Sequence, residues 1–334
     1  MPNRVRFDGK AERFYEVWYF ILNDRASGDG FWIRYTLLNP LDTRPEAGAA
    51  LWFAHTCRSD PSRSVAITRN FPRGDFSVRP GELTVRIGDA VFEEGMLRGG
   101  FEAEGHRVAW NLRYEPSAEP HYYFGDLLRR VSARRTSVTL PNPRIDLSGD
   151  VTIDGASIAI DRARGHEAHH WGTERAPRWL WAHCCAFDED DSAVVELLAP
   201  EIPGGSYVAF VNLRTAKARY ELSGVSSLAR NRASAGLGFW QFEGIDGDHH
   251  VVADVTVDPR FVQRFVYVSP RYRSSECWNT QVGDCLVRVY GRASAGERLE
   301  TVLRARGTCA AEVHDERPER IAYPSWQATA SEKR

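Results

Sequence analysis

The chain has 334 residues, a length that suits two domains better than one small core. Hydrophobic residues make up 43% of the sequence and charged residues 26%, which excludes disorder over most of the chain. The formal net charge of −2 argues against a surface for nucleic acid or anionic membranes.

Short runs rich in Val, Ile, Phe, Tyr and Trp recur along the first half, separated by Gly, Asp, Asn and Pro. These runs predict β-strands, whereas residues 121–144 form a poorly periodic connector with one or two helical turns at 126–131. The predicted strands cover residues 14–22, 31–38, 50–55, 64–69, 83–87, 96–104, 106–114, 149–153 and 157–160.

The second half has the same character, with an acidic turn at residues 188–192. From Glu312 onward the chain is polar, and we expect a loose tail there apart from residues 323–326. The predicted strands of this half cover residues 179–187, 193–198, 206–213, 217–222, 238–243, 250–257, 265–268, 285–290 and 299–305.

The order of short strands is typical of an all-β barrel or sandwich. Residues 106–116 also align without gaps on residues 249–259, which indicates an internal repeat, although chance similarity between amphipathic strands is the alternative. If the repeat is genuine, the protein consists of two tandem antiparallel barrels. We then expect an N-terminal barrel at 1–172 and a C-terminal barrel at 173–334.

The chain shows no targeting or cofactor signal. It begins without an apolar signal-peptide core and contains no apolar run long enough to cross a membrane, so we expect a cytoplasmic protein. Its six cysteines form no CxxC pair, which favours reduced thiols over a structural zinc site. Nucleotide-binding motifs are absent, and we predict neither a metal nor a cofactor.

Residues 165–181 carry the densest set of reactive side chains, including three histidines within five positions. The stretch His166-Glu-Ala-His-His170 matches the HExxH pattern of zinc proteases, in which both histidines share one helix face. Here Gly165 precedes the pattern, Trp171-Gly172 follows it, and the flanking residues resemble strands. We therefore predict an extended chain.

On an extended chain, neighbouring side chains point to opposite faces. His166, Ala168 and His170 would share one face, and Glu167, His169 and Trp171 would share the other. An acid, an imidazole and an indole on one face suit acid-initiated chemistry on an alkene. The alternative is a histidine-rich strand end whose side chains bond to backbone groups.

The segment Gly165-His-Glu-Ala-His-His-Trp-Gly172, followed by Trp179-Leu-Trp181, resembles the signature of the carotenoid 1,2-hydratase, AttH and tocopherol-cyclase-like family. The opening residues 15–20 are similar to the first strand of that family. The resemblance implies two packed lipocalin-like barrels with a ligand cavity near their junction. It also implies hydratase, cyclase or Diels–Alderase chemistry without a cofactor.

The resemblance carries over residue by residue. His169-His170-Trp171 matches the family's His-x-Trp element, whereas the family's Tyr-x-Asp pair has no counterpart here. Glu196 is the only carboxylate on the strand expected to carry that pair, so it becomes the main candidate for the proton donor. The missing pair argues against true carotenoid hydration.

The sequence thus predicts a lyase or cyclase acting on a hydrophobic polyene, isoprenoid or polyketide-like molecule. A pericyclase that needs shape but no strong acid is a variant, and a non-catalytic carrier of a lipophilic molecule is the alternative. Peripheral contact with a membrane and the oligomeric state are left open. The predicted catalytic residues are His169, Glu196 and Glu174, and the predicted substrate-binding residues are His166, His170, Trp171, Trp179, Trp181 and His183.

Overall fold

The computed structural model describes residues 3–117, 119–123, 136–202, 204–236 and 238–317. Within these ranges the chain is almost entirely β-structure, and its one α-helix, α1, is the short segment Val225–Leu228. The strands form two antiparallel sheets, arranged as one nearly closed barrel and one half-barrel. This confirms the predicted all-β fold of tandem lipocalin-like barrels. No helix of the described residues has the length and apolar character needed to span a bilayer.

The first sheet has twelve strands within the described residues, in the order β4-β3-β2-β1-β12-β11-β9-β8-β7-β6-β5, with β10 paired to β11. Its strands are β1 Tyr15–Asn23, β2 Gly30–Leu38, β3 Gly48–Thr56, β4 Val65–Phe71, β5 Phe76–Val78, β6 Thr84–Ile87, β7 Ala90–Glu93, β8 Met96–Ala103, β9 His106–Tyr114, β10 His121–Tyr122, β11 Thr136–Ile153 and β12 Ala156–Gly172.

The second sheet has ten strands within the described residues, in the order β16-β15-β14-β13-β22-β21-β19-β18-β17, with β20 paired to β21. Its strands are β13 Arg178–Cys184, β14 Val194–Pro200, β15 Phe210–Arg214, β16 Arg219–Leu222, β17 Arg232–Gly236, β18 Phe239–Ile245, β19 His249–Thr256, β20 Gln263–Val268, β21 Ser274–Ala293 and β22 Gly296–Asp315.

The two sheets share one strand order when they are compared position by position. In each sheet the first four strands along the chain are neighbours. The first of these, β1 or β13, also pairs with the last strand of its sheet, β12 or β22. That last strand forms a long hairpin with the strand before it in the chain, β11 or β21. Strands β9 and β19, which contain the aligned residues of the sequence repeat, occupy the same place beside that hairpin. The repeat found in the sequence thus coincides with a repeated topology.

The long hairpins differ most from the prediction. Strands β11 and β12 extend over 18 and 17 residues, and β21 and β22 over 20 residues each, whereas the sequence predicted only short pieces of them. Register shifts between Thr139 and Asn142 and between Asn142 and Ile145 surround Pro141 and Pro143. Because proline cannot donate a ladder hydrogen bond, these irregularities interrupt the sequence pattern of a strand that continues.

Three other predictions need correction at their edges. The segment 121–144 is not wholly a connector, since it contains β10 and the start of β11. The tail does not begin at Glu312, because β22 continues to Asp315, which pairs with Arg178. The predicted strand 179–187 ends at Cys184. Residues 126–131 and 323–326 lie outside the described residues.

Strand β1 is buried on both of its faces. Trp18, Phe20 and Leu22 pack in the core enclosed by the first sheet. Tyr19 and Ile21 point the other way, into a cluster of apolar residues between the two sheets that we call the inter-sheet cluster. This two-sided burial explains why residues 14–22 form an almost continuous apolar run and not an alternating one.

Polar side chains also join the two sheets. Thr56 Oγ1 donates to Gln281 Oε1 at 2.6 Å, and Asn23 Nδ2 donates to the backbone oxygen of Gln281 at 2.7 Å. Gln263 Nε2 donates to the backbone oxygen of His55 at 2.9 Å. All five side chains are buried, so each of these contacts satisfies a group that would otherwise lose its hydration.

Gly165 marks a close approach between β12 and β1. A Cβ atom there would lie 2.2 Å from the backbone oxygen of Ile21 and 2.9 Å from Cδ1 of Leu147. We therefore expect Gly165→Ala to lower the free energy of unfolding by about 1–3 kcal/mol in urea titrations. Gly247→Ala is the matched control, because a Cβ at Gly247 meets nothing within 4 Å. Equal losses in the two variants would contradict this account.

Candidate active site

A cavity of about 140 Å³ lies between the two sheets. Strands of the first sheet supply one wall and strands of the second sheet supply the other. Apolar and aromatic side chains make up most of the surface, as expected for a site that holds a hydrophobic molecule. The aromatic side chains of the lining are Tyr15, Tyr19, Trp32, Tyr123, Trp179, Trp181 and Tyr267.

Strand β12 presents the histidine-rich segment to two different environments. The segment is extended and pairs with β1 residue by residue, with Trp18 opposite His169 and Tyr19 opposite Ala168. Ala168 lies in the inter-sheet cluster and His170 lines the cavity, whereas Trp171 packs against the core of the first sheet. The predicted extended conformation brings only one of the two faces to the cavity.

His170 is the imidazole of this segment that reaches the cavity. Its ring lies edge-on to Tyr19 at 5.3 Å, and its Nε2 atom has no hydrogen-bond partner among the described residues. Burial, followed by the charges of Arg175 and Arg34, holds the pKa of His170 well below its usual value. The ring is therefore neutral near pH 7, and a neutral imidazole can accept a proton.

Glu196 forms a buried network beside the cavity. Its Oε1 atom accepts a hydrogen bond from Trp181 Nε1 at 2.6 Å, and its Oε2 atom lies 2.5 Å from His183 Nδ1. Trp181 Nε1 also donates to the hydroxyl of Tyr123 at 2.8 Å. Trp181 and Tyr123 line the cavity, whereas Glu196 lines a smaller neighbouring cavity of about 60 Å³ that also contains His121.

Burial raises the pKa of Glu196 well above its usual value and lowers the pKa of His183 well below its own. The pair therefore holds a proton on the carboxyl group near neutrality. His166 packs against His183, with ring centroids 3.7 Å apart and ring planes tilted by 37°, and burial lowers the pKa of His166 to about 3. Two neutral imidazoles and a protonated carboxyl group thus lie together without a net charge.

His169 and Glu167 lie in the first core, away from the cavity. His169 Nε2 is 2.9 Å from Glu16 Oε1, and the imidazole stacks on Trp18. Glu167 accepts a hydrogen bond from the Tyr114 hydroxyl at 2.9 Å. Burial raises the pKa of Glu16 to about 8 and that of Glu167 to about 7. This arrangement is a buried polar cluster that does not touch the cavity.

The remaining predicted site residues are spread over three places. Glu174 forms an ion pair with Arg271, its side chain is 36% exposed, and it is not among the cavity residues. Trp171 lies under the guanidinium group of Arg6. Trp179 lines the cavity, where its Nε1 atom donates to Glu312 Oε1 at 2.7 Å.

Most residues of the cavity lining were not predicted as site residues, and the polar ones among them include Arg34, Tyr123, Arg175, Tyr267 and Glu312. The sequence could have indicated Arg34, because a charged residue within the mainly apolar run 31–38 is unusual unless it has a specific role. It could not have indicated Tyr267 and Glu312, since they reach the cavity from strands whose sequences resemble all the others.

One group of potential metal ligands lies elsewhere in the described residues. Ligand atoms of Asp29, His55 and Cys57 are within 4.8 Å of one another. His55 Nε2 already contacts Asp29 Oδ2 at 2.8 Å, and Asp29 Oδ1 accepts from the backbone nitrogen of Arg58. None of the three lines the cavity, so this group does not bear on the site.

Comparison with known proteins places this arrangement in a family. The family model described as tocopherol cyclase-like matches residues 89–314. The chain belongs to the tocopherol cyclase-like family. This confirms the family resemblance found in residues 165–181.

An uncharacterized protein of Mycobacterium tuberculosis (strain CDC 1551 / Oshkosh), MT0513, is 26% identical over 293 residues, which cover 86% of this chain and 84% of that protein. An AttH structure from Nitrosomonas europaea has a TM-score of 0.55 at 15% identity, covering 94% of this chain and 97% of that chain. The structure of CghA with Sch210972 has a TM-score of 0.58 at 12% identity, covering 91% and 89%. At these identities the two structures show a shared fold.

The raised pKa of Glu167 predicts a pH-dependent stability. The carboxyl group titrates near 4.5 when unfolded and near 7 when folded, so folding binds a proton between these values. The free energy of unfolding should therefore fall as the pH rises from about 4.5 to about 7, by about 3 kcal/mol from this group. We expect Glu167→Gln to remove that part of the slope in urea titrations at several pH values.

The control is the exposed residue Glu115, whose replacement by Gln should leave the slope unchanged. Parallel curves for wild type and Glu167→Gln would mean that burial does not hold the proton on this carboxyl group.

Proposed function

We propose that this chain is a cofactor-independent lyase or cyclase that converts a hydrophobic polyene, isoprenoid or polyketide-like molecule in the cavity between its two sheets. One observation carries the proposal: a single apolar cavity has a neutral imidazole in its wall and a protonated carboxyl group directly behind that wall. An acid and a base in opposite protonation states at neutral pH are what proton transfer at carbon requires.

Glu196 is the acid in this proposal. Its proton is retained because the carboxyl group is buried, and the Tyr123 hydroxyl shares the Trp181 Nε1 donor with it. Tyr123 presents the oxygen of this network that lines the cavity, so in this proposal its hydroxyl donates a proton to the bound molecule and recovers one when it contacts Glu196, with which it shares the Trp181 Nε1 donor. Delivery to a double bond starts hydration or ring closure, and the exclusion of bulk water decides between these outcomes.

His170 is the base in this proposal. Its neutral ring and its Nε2 atom, which has no partner among the described residues, suit the removal of a proton from the substrate or from an attacking water. His169 and Glu174, which the sequence also suggested as catalytic, do not line the cavity, so we assign no proton transfer to them.

The family and the shared fold support a site for small molecules. The family description refers to a cyclase, and CghA was solved with the small molecule Sch210972 bound. In this proposal the cavity of the present chain also binds a small molecule, and its aromatic walls exclude water from that molecule when it is apolar.

A substrate panel in isotopically labelled water tests the proposal. We expect the wild-type protein to convert at least one acyclic polyene, prenylated phenol or polyenoyl compound, with products followed by mass spectrometry. Addition of one labelled water indicates hydration, and an isomer of unchanged composition indicates cyclisation. We expect Glu196→Gln and His170→Gln each to lower turnover at least about 100-fold.

Binding of the converted compound, measured by quenching of tryptophan fluorescence, should persist in both variants. Glu115→Gln serves as the control and should retain turnover. Tight binding of panel members without conversion of any of them would instead identify a carrier.

A further inference from the structure

Two arginines line the cavity together, although its walls are otherwise mainly apolar. Arg34 comes from β2 and is only 4% exposed, and Arg175 comes from the connector between β12 and β13. Both guanidinium groups lie over the ring of Tyr267, at 4.4 Å and 5.5 Å from its centroid. Their charges contribute to the lowered pKa of His170, but neither arginine donates or accepts a proton in the roles assigned above.

Both guanidinium groups are held in place by aromatic rings. Arg34 also packs over Trp52 at 4.7 Å, and its Nε atom donates to Thr36 Oγ1 at 2.9 Å. Arg175 lies 4.3 Å from the ring centroid of Tyr15. Stacking fixes the plane of a guanidinium group, which lowers the entropy lost when its N–H groups bind a planar anion.

No carboxylate of the described residues lies within ion-pair distance of either arginine. Glu312 also lines the cavity, but its Oε1 atom accepts from Trp179 and its Oε2 atom from Cys277 Sγ at 3.2 Å. Burial, followed by the charge of Arg34, lowers the pKa of Arg175. The cavity therefore holds two positive charges against one carboxylate that is already bonded.

We propose that the arginine pair binds an anionic oxygen group, a carboxylate or an ionised enol, at one end of a ligand whose body is apolar. This inference rests on the proposed function, because it names the chemical class of the molecule that the same cavity converts. A planar pair of oxygens matches the fork of N–H groups on a guanidinium group, and its charge offsets the repulsion between the two arginines.

The strand order also orients the ligand. Tyr267, which contacts both arginines, is on β20, and Glu196 is on β14 of the same sheet. Strands β21, β22 and β13 lie between them, so four strand spacings separate β20 from β14. At about 4.8 Å per spacing, the two strands are roughly 19 Å apart along the curved sheet. An anionic head at the arginines therefore directs the apolar body towards Trp181 and the Glu196 network.

Binding of matched ten-carbon probes to the full chain tests this inference without requiring turnover. Decanoate, 1-decanol and decyltrimethylammonium have the same apolar chain and differ in the charge of the head group. We expect decanoate to bind at least about tenfold more tightly than decanol, and the cation to bind most weakly. Calorimetry or quenching of tryptophan fluorescence provides the affinity.

Substitution of the arginines identifies the binding end. Arg175→Gln should lower the affinity for decanoate at least about tenfold and change that for decanol less than about twofold. Arg34→Lys keeps the charge of the more buried arginine while removing its planar fork, and it should also weaken decanoate binding. Arg298→Gln is the control, because that side chain is 85% exposed and is not among the residues that line the cavity. Thermal unfolding verifies that each variant is folded.

The possible outcomes separate this inference from the proposed function. Equal binding of acid and alcohol, with no loss in the Arg175 variant, overturns the anion site and leaves the proposed enzyme intact. Selective decanoate binding together with no conversion of any panel substrate supports the anion site and removes the enzyme. Failure of all three probes to bind overturns the anion site, and the proposed enzyme then stands or falls on the substrate panel.

Discussion

The two-residue period of an extended strand governs this site, because β12 is buried on both sides. Side chains one position apart enter different environments: the polar cluster of the first core receives Glu167 and His169, and the cavity receives His170. A shift of one residue in the pairing of β12 with β1 would exchange the two sets. Which histidine lines the cavity, and so serves as the base in the proposed function, therefore depends on the register of one pair of strands.

The sequence was sufficient for the fold class, for the family and for the extended conformation of the histidine segment. Alternation also placed His166, Ala168 and His170 on one face. It could not tell which face meets the cavity, because both faces of a doubly buried strand carry apolar and polar residues alike. That choice depends on what packs against each face, and part of the second wall comes from strands that follow much later in the chain, such as β20 and β22.

Local breaks in the strand pattern explain the other differences between the predicted and the observed structure. Pro141 and Pro143 broke the strand pattern where the structure has register shifts within one long strand. Glu174 attracted attention through its position near the histidines, yet the chain leaves β12 at Gly172 and carries Glu174 to the surface. Proximity along the sequence is a weak guide to a site at the junction of two sheets.

The side chains at the junction of the sheets also bear on how a ligand enters. Gln281, Asn23 and Thr56 tie the two sheets together through buried hydrogen bonds, so a hinge motion that parts the sheets would expose all of these groups unpaired. The walls of the cavity are therefore held together without a ligand, and Arg175, on the connector between β12 and β13, is a partly exposed residue of its lining. A molecule that approached along this connector would meet the positive charge of Arg175 before it reached the apolar walls.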